Sequence, residues 1–323
     1  MFKTRVTEKL GIKYPIIGGA MMWLSVPKLV AGVSNAGGMG ILASAMFRSK
    51  EEFRKALREV KSLTDKPFAV NLNLFPAMKE IPNDVYMEVL LEEGVRIVET
   101  SGHKAPDELV EKLKAEGCTL IHKCVGVRYA KKAESLGVDM VTVVGWENGG
   151  ATGILDVATM PLVPRVVDSV SIPVIAGGGI ADGRGLLAAL ALGAEGIIIG
   201  TALLVSEECP LHPEVKKALC EANETDTMLI LRSIGNTHRV LKNKMAEKIA
   251  DAESKGYTLE QLMPLIRGEN NKKMFDTGDL EAGTLACGQG VGLLRSVMPV
   301  KDIIERFVQE AMEAEKRISN IIN

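Results

Sequence analysis

A chain of 323 residues, 46% hydrophobic and 25% charged, has the size of one large domain or two and can bury a sizeable core. Its 39 basic and 41 acidic residues leave a formal charge of -2, with no basic run or aromatic-basic interleaving, so nothing points to nucleic acid or an anionic membrane and small molecules are the expected partners. The N-terminal MFKTRVTEKLGIKYP has no apolar signal core, and no stretch reaches the ~20 uninterrupted apolar residues of a membrane helix, so a cytoplasmic location is expected.

The first apolar run, PIIGGA (15 to 20), predicts a strand that ends in small residues before Met21, Met22 and a tryptophan. Two readings of Ala20, Met21 and Met22 stand: methionines filling irregular core gaps, or backbone laid against the edge of a planar ring. GMGILAS (38 to 44) gives the second strand and FAVNLNL (68 to 74) the third, where the two-residue period puts Asn71 and Asn73 on one face. Amides aimed into an apolar barrel need partners, because an unsatisfied one costs ~1 to 3 kcal/mol. RIVETSG (96 to 102) and TLIHKCV (119 to 125) follow, the latter carrying Lys123. That cation either sits beside an electron-rich ring or a phosphate, or pairs with a structural carboxylate. The sixth strand, MVTVVGWE (140 to 147), runs into WENGGATG, where Gly149 and Gly150 remove side chains from whatever lies against them. PVIAGGGI (173 to 180) and GIIIGTALL (196 to 204) complete the series with the glycine cluster Gly177, Gly178, Gly179 and the turn Gly200-Thr201. Exposed backbone N–H groups there, helped by a helix N-terminus, would seat a phosphate dianion. Glycine at those places also simply permits tight turns.

The segments between these runs, such as EEFRKALREVKSLT and APDELVEKLKAEG, place apolar residues at helical spacing, and several end in glycine, at Gly94, Gly117, Gly137 and Gly193, where a left-handed cap is cheapest. Strand then helix, eight times over, implies parallel pairing and right-handed crossovers, hence an α/β fold of the closed (β/α)8 TIM-barrel type. The open doubly wound alternative would carry a G-x-G-x-x-G fingerprint after the first strand, and none is there. After residue 205 the rhythm breaks. Residues 209–280 read as a smaller, mainly α-helical inserted domain with no clear strand, so the barrel is expected to comprise 1–208 and 281–323. Cys118, Cys124, Cys209, Cys220 and Cys287 show no paired spacing and read as reduced thiols, and His103, His122, His212 and His238 are too scattered for a zinc site; no metal is expected. Working groups of such a barrel lie after the strands. There the strand ends describe a phosphate seat, a planar slot and a nearby cation, which together fit a flavin mononucleotide (FMN).

The series GGAMMWL, VSNAGGMG, KPFAVNLNL, VETSG, IHKC, GGGIADGRGLLAALALGAEGIIIGT, ECPLHPEVKKA and MLILRSIGNTHRVLKN resembles, in order and over nearly the whole length, the nitronate monooxygenase (2-nitropropane dioxygenase) family, in particular its NADH:quinone reductase branch, with enoyl-acyl carrier protein reductase II as a near relative. The resemblance implies an FMN-dependent barrel oxidoreductase, with NAD(P)H as a possible reductant. It places the flavin on Ala20, Met21, Met22, Asn73, Lys123, Gly149, Gly150, Gly177, Gly178, Gly179, Gly200 and Thr201, and the substrate beside Glu147, Ala151, Thr152 and Gln289. One position departs. Where the family commonly has a histidine, this chain has Ala151, which cannot transfer a proton, and a positioned general base is worth ~100- to 10,000-fold in rate.

The expected activity is therefore oxidation of alkyl nitronates, which are already anions, or passage of electrons from NAD(P)H to a quinone-type acceptor. Thr152 has the wrong pKa to replace the base, and Glu147 would serve only if its loop turned it inward. Rival expectations are enoyl-thioester reduction, an FMN-binding protein without turnover, and a cofactor-free barrel acting on a sugar phosphate. The charged C-terminal helix (301 to 320) reads as a solvated face or a homodimer contact.

Overall fold

The structure is a computed structural model that describes residues 2–74, 83–102 and 107–322; His103 lies outside them. In chain order the elements begin with α1 (Arg5–Leu10), β1 (Ile16–Gly18), α2 (Pro27–Asn35), β2 (Met39–Ala43), α3 (Lys50–Leu63) and β3 (Ala69–Asn73). They continue with α4 (Asn83–Glu92), β4 (Ile97–Ser101), α5 (Asp107–Ala115), β5 (Thr119–Cys124), α6 (Val127–Ser135), β6 (Met140–Val144), β7 (Gly150–Ala151) and α7 (Thr159–Val167). Then come β8 (Val174–Gly177), α8 (Gly183–Ala191), β9 (Gly196–Ile199), α9 (Thr201–Leu204) and α10 (Pro213–Glu221), and after them β10 (Thr227–Ile230), β11 (His238–Leu241), α11 (Lys244–Ser254), α12 (Leu259–Ile266), α13 (Gly268–Thr277) and α14 (Val300–Ile322).

Eight of these strands, β1 to β6 with β8 and β9, close into a parallel barrel, and Ile17 pairs with both Met39 and Ile198 to seal it. All eight expected strands are present, within a few residues of their expected ends. The exception is the last: TALL is not strand but the short helix α9, because the chain turns at Gly200 once the barrel wall is complete. The barrel is filled by Ile17, Met39, Ile41, Ala69, Ile121, Met140, Val144, Ile175 and Ile198, each buried side chain contributing ~1.5 to 3 kcal/mol. Outside it the helices bury one face each. In α3, Ser49 caps the N-terminus by accepting from Glu52 N, and Phe53, Ala56, Leu57 and Val60 recur at helical spacing to meet the wall. Gly94, Gly117, Gly137 and Gly193 all have positive φ, as their cap role requires. The C-terminal helix α14 returns to the barrel against α8, so closely that a Cβ at Gly183 would lie 2.2 Å from the Phe307 carbonyl.

Residues 209–280 differ from expectation. They contain four helices, but also β10 and β11, which with β7 make a three-stranded antiparallel sheet. β10 and β11 are only four residues long, and the other partner of β11 is a Gly-Ala pair about ninety positions earlier, so no local period marks the sheet. This segment has a small core of its own, around Ile230, Val240, Ile249 and Leu262, while Val215, Met274 and Phe275 join the main one.

Candidate active site at the barrel mouth

The loop after β1 is held by Ser25, whose hydroxyl accepts from Met21 N (2.7 Å) and faces Gly19 O (3.3 Å). Ala20 packs on the barrel interior, Met21 on the outer core, and Met22 stands 46% exposed. Trp23 takes a left-handed backbone, φ 65°, a conformation that a bulky side chain adopts only where its surroundings enforce it. Its indole N–H is buried without an acceptor. Met21 also meets the end of the neighbouring strand β9, its sulfur 3.7 Å from where a Cβ on Gly200 would be.

One inner wall of the mouth is polar. Asn71 donates to Glu99 Oε2 (2.7 Å) and to Ser101 Oγ (3.2 Å), and Lys123 Nζ lies 3.3 Å from the same carboxylate oxygen. Glu99 is wholly buried, so this pair is what makes its charge tolerable; the lysine, less buried, faces the opening. The other oxygen, Glu99 Oε1, has no hydrogen-bond donor. Asn73 is half-buried at the strand end, where its carbonyl accepts from Asn83 Nδ2 (2.8 Å). Lys123 therefore does have the structural carboxylate that the bland reading required. Glu99 was missed; the only signal was an acid in the middle of a strand buried on both faces.

The glycine turns lie across from that wall. Gly178 and Gly179 have φ 98° and 72°, and a Cβ on Gly178 would come within 2.8 Å of Gly145 O and Thr159 Oγ1. Only glycine fits there. The helix that follows is not available to an anion: Asp182 accepts from Gly185 N (3.0 Å) and Glu310 from Gly183 N (2.8 Å), so two carboxylates already occupy the α8 N-terminus. That corrects the expectation of a phosphate seat helped by this helix and leaves the turns themselves, Gly178-Gly179 and Gly200-Thr201. Thr201 Oγ1 accepts from Gly288 N (2.9 Å), and Gln289 N donates to Glu147 O (3.0 Å), which draws the segment around Gln289 onto the same rim.

WENGGATG is where the barrel meets the three-stranded sheet. Asn148 Nδ2 donates to Gly149 O (2.9 Å) and Ala151 O (3.0 Å), folding the glycines back, and a Cβ on Gly149 would lie 2.7 Å from the Cys287 backbone. Gly150 and Ala151 then form β7 against Arg239 and His238 of β11. Glu147 is not turned inward as a base: its oxygens accept from Thr159 N (3.1 and 3.0 Å) and Thr159 Oγ1 (3.0 Å), capping α7. Thr152 is buried, donating through its hydroxyl to Gly153 O (3.2 Å). Arg239 was missed altogether. Its guanidinium lies 4.8 Å from the Trp146 ring centre and donates to Trp146 O (3.3 Å) and Thr227 Oγ1 (3.1 Å), while burial lowers its pKa despite the acids nearby. Arg232 and Asp156 make a second clasp between the same two parts.

Away from the mouth, His122 faces outward, its Nδ1 2.9 Å from Thr100 Oγ1, and burial, with the charge of Lys123 adding, lowers its pKa to about 4. The thiols of Cys124 and Cys287 are buried and pushed up to about 12, in keeping with inert reduced cysteines, and all five cysteines are free. Among the described residues no helix is long and apolar enough to cross a membrane.

Known proteins resemble this chain in sequence and fold. The pattern of the nitronate monooxygenase family matches residues 3–310. A (3aS,4S,5R,7aS)-5-hydroxy-7a-methyl-1-oxo-octahydro-1H-indene-4-carboxyl-CoA dehydrogenase of Rhodococcus jostii is 36% identical, the alignment covering 96% of either chain. A probable nitronate monooxygenase of Staphylococcus saprophyticus is 33% identical over 97% of this chain and 99% of its own. Among solved structures, FabK from Thermotoga maritima superimposes with a TM-score of 0.90 and 37% identity, covering 99% of this chain and 100% of that one.

Proposed function

The chain belongs to the nitronate monooxygenase family of flavin-dependent oxidoreductases, and from that premise we propose that it holds FMN at the barrel mouth and oxidises alkyl nitronates or passes electrons from NAD(P)H to a quinone-type acceptor. The observation that carries the reading is the cation Lys123 on the polar wall of Asn71 and Glu99, across from strand-end turns at Gly178 and Gly179 whose backbone only glycine fits. A planar ring can lie against backbone that carries no side chain, with Lys123 beside its electron-rich edge. Bound there, the flavin would supply two-electron redox chemistry.

The residues of the chain divide the remaining work. Gly178-Gly179 and Gly200-Thr201 would receive the phosphate, Lys123 would place positive charge beside the ring, and Ala20, Met21, Asn73, Gly149, Gly150 and Gly177 would bound its slot. Ala151 supplies no proton transfer from β7, so an anionic nitronate suits the site better than a reaction that needs a base at that position. The substrate would enter past Met22, Ala151 and Gln289, over a site whose Glu147 and Thr152 are engaged with the protein's own backbone.

One observation favours a second reading, redox chemistry on an acyl thioester. Ile154, Leu155 and Met160, in the loop and helix after β7, are 64, 48 and 65% exposed, an apolar rim suited to an acyl chain, and the Rhodococcus relative is named for a CoA-linked substrate. The test is anaerobic reduction of the bound flavin, followed by its loss of colour, with propyl nitronate and with NADH or NADPH, and reoxidation with a quinone or with crotonyl-CoA. Bleaching by the nitronate, or by NAD(P)H with quinone reoxidation, is expected. Reoxidation by crotonyl-CoA alone would establish the thioester reading instead.

A further inference from the structure

We propose that Glu99 is a positioning residue of the cofactor site that acts through Lys123, holding the ammonium on the polar wall and offsetting its charge, so that the bound flavin stays a ready electron donor. This rests on the flavin reading above. Ile121 and Met140 fill the barrel, so Lys123, two residues after Ile121 on β5, and Thr142, two residues after Met140 on β6, turn inward as well. Ala69 sets Asn71 on the inner face of β3 in the same way. Glu99 pairs in register with Asn71 on one side and with Ile121 on the other, so its side chain shares their inner face.

The charges on that face form one pair. Lys123 Nζ lies 3.3 Å from Glu99 Oε2, and Asn71 Nδ2 donates to the same oxygen (2.7 Å). Among the described residues Lys123 is the one ion-pair partner of Glu99, and the register neighbours of the lysine, Ser101 and Thr142, carry no charge. The carboxylate is 0% exposed and the lysine side chain 22%, so the acid stands behind the cation and the cation stands at the opening. Water screens a buried charge far less than a surface one, and the field of Glu99 therefore reaches whatever lies against Lys123.

Two electrons and one proton, the equivalent of one hydride from NAD(P)H, leave a flavin ring with one negative charge. An unpaired cation at its edge would stabilise that charge and hold the electrons back from the next acceptor, whereas a cation already paired does so much less. The substitution Glu99→Gln isolates this effect. Its amide oxygen can keep the Asn71 bond made at Oε2, and its NH2 falls at Oε1, which accepts from no donor.

The experiment measures the two-electron midpoint potential of FMN bound to the protein, by anaerobic dithionite titration beside a dye of known potential. Glu99→Gln should raise it by about 30 mV or more, a tenfold shift in the equilibrium toward reduced flavin. The double variant Glu99→Gln with Lys123→Met, neutral like the wild-type pair, should bring it back close to the wild-type value. A potential unmoved by Glu99→Gln, or one that stays raised in the double variant, overturns the proposal. A second readout needs no cofactor. In FMN-free protein the urea midpoint should fall in Lys123→Met, which leaves the carboxylate buried without its cation, and should rise again when Glu99→Gln is added. Losses that simply add would overturn the proposal as well. A chain that takes up no FMN fails the reading of the previous section and this inference with it, whereas bound FMN with an unmoved potential fails this inference alone.

Discussion

At the scale of single residues, glycines that share a backbone conformation do different work. Gly94 and Gly178 both have positive φ, but a Cβ on Gly94 would meet nothing within 4 Å, whereas one on Gly178 would strike Gly145 O and Thr159 Oγ1. Gly94→Ala should therefore cost only the left-handed penalty, ~1 to 2 kcal/mol in denaturant unfolding, with flavin content unaltered. Gly178→Ala should cost more and release flavin; equal effects of the two substitutions would contradict the cradle. His122 gives a second residue-scale prediction. Its folded pKa of about 4 lies below the unfolded value of about 6.5, so its contribution to stability is complete above the unfolded value and is lost as pH falls toward 4. The loss is on the order of 3 kcal/mol, and chemical denaturation across that range should show a shallower pH slope in His122→Asn than in wild type. Identical slopes would mean that the imidazole is not held neutral by burial.

Between elements, the decisive contact is the one between β7 and β11, fastened by Arg239 on Trp146 and by Arg232 on Asp156. Hydrogen bonds from a charged donor contribute ~1.5 to 3 kcal/mol, so Arg239→Met should raise amide exchange in β7 and β11 by about tenfold or more without loosening the barrel strands. Unchanged protection in those two strands would show that the clasp is not what holds the sheet to the barrel. The same contact shows where sequence reasoning stops. The barrel strands were legible because each is a local run of β-branched residues bounded by helical periods and glycine caps, as at TLIHKC before its amphipathic helix. The small antiparallel sheet was not, because β10 and β11 are only four residues each and Gly150 and Ala151 have no strand propensity, acquiring their geometry from β11. For the site, the glycine turns and Lys123 could be read from their types. Glu99, Arg239 and the pairing of His238 with Ala151 could not, since each is defined by a neighbour on a different strand.

For the molecule as a whole, the barrel builds the mouth and the segment after β9 meets it from the side of WENGGATG, so the loop that has alanine at position 151 is also the joint between the two. The closed parallel wall leaves the polar cluster around Glu99 and Lys123 across the barrel from the glycine turns. A ligand that binds between them stabilises the folded state by mass action, ~2.7 kcal/mol at a hundredfold excess over its Kd, and FMN should raise the melting temperature accordingly. The most direct measurement is the flavin content of the purified chain, released by heat and identified against FMN, before and after incubation with excess cofactor. Stoichiometric FMN is the predicted result. A colourless protein that takes up none, even when FMN is supplied in excess, would contradict the account.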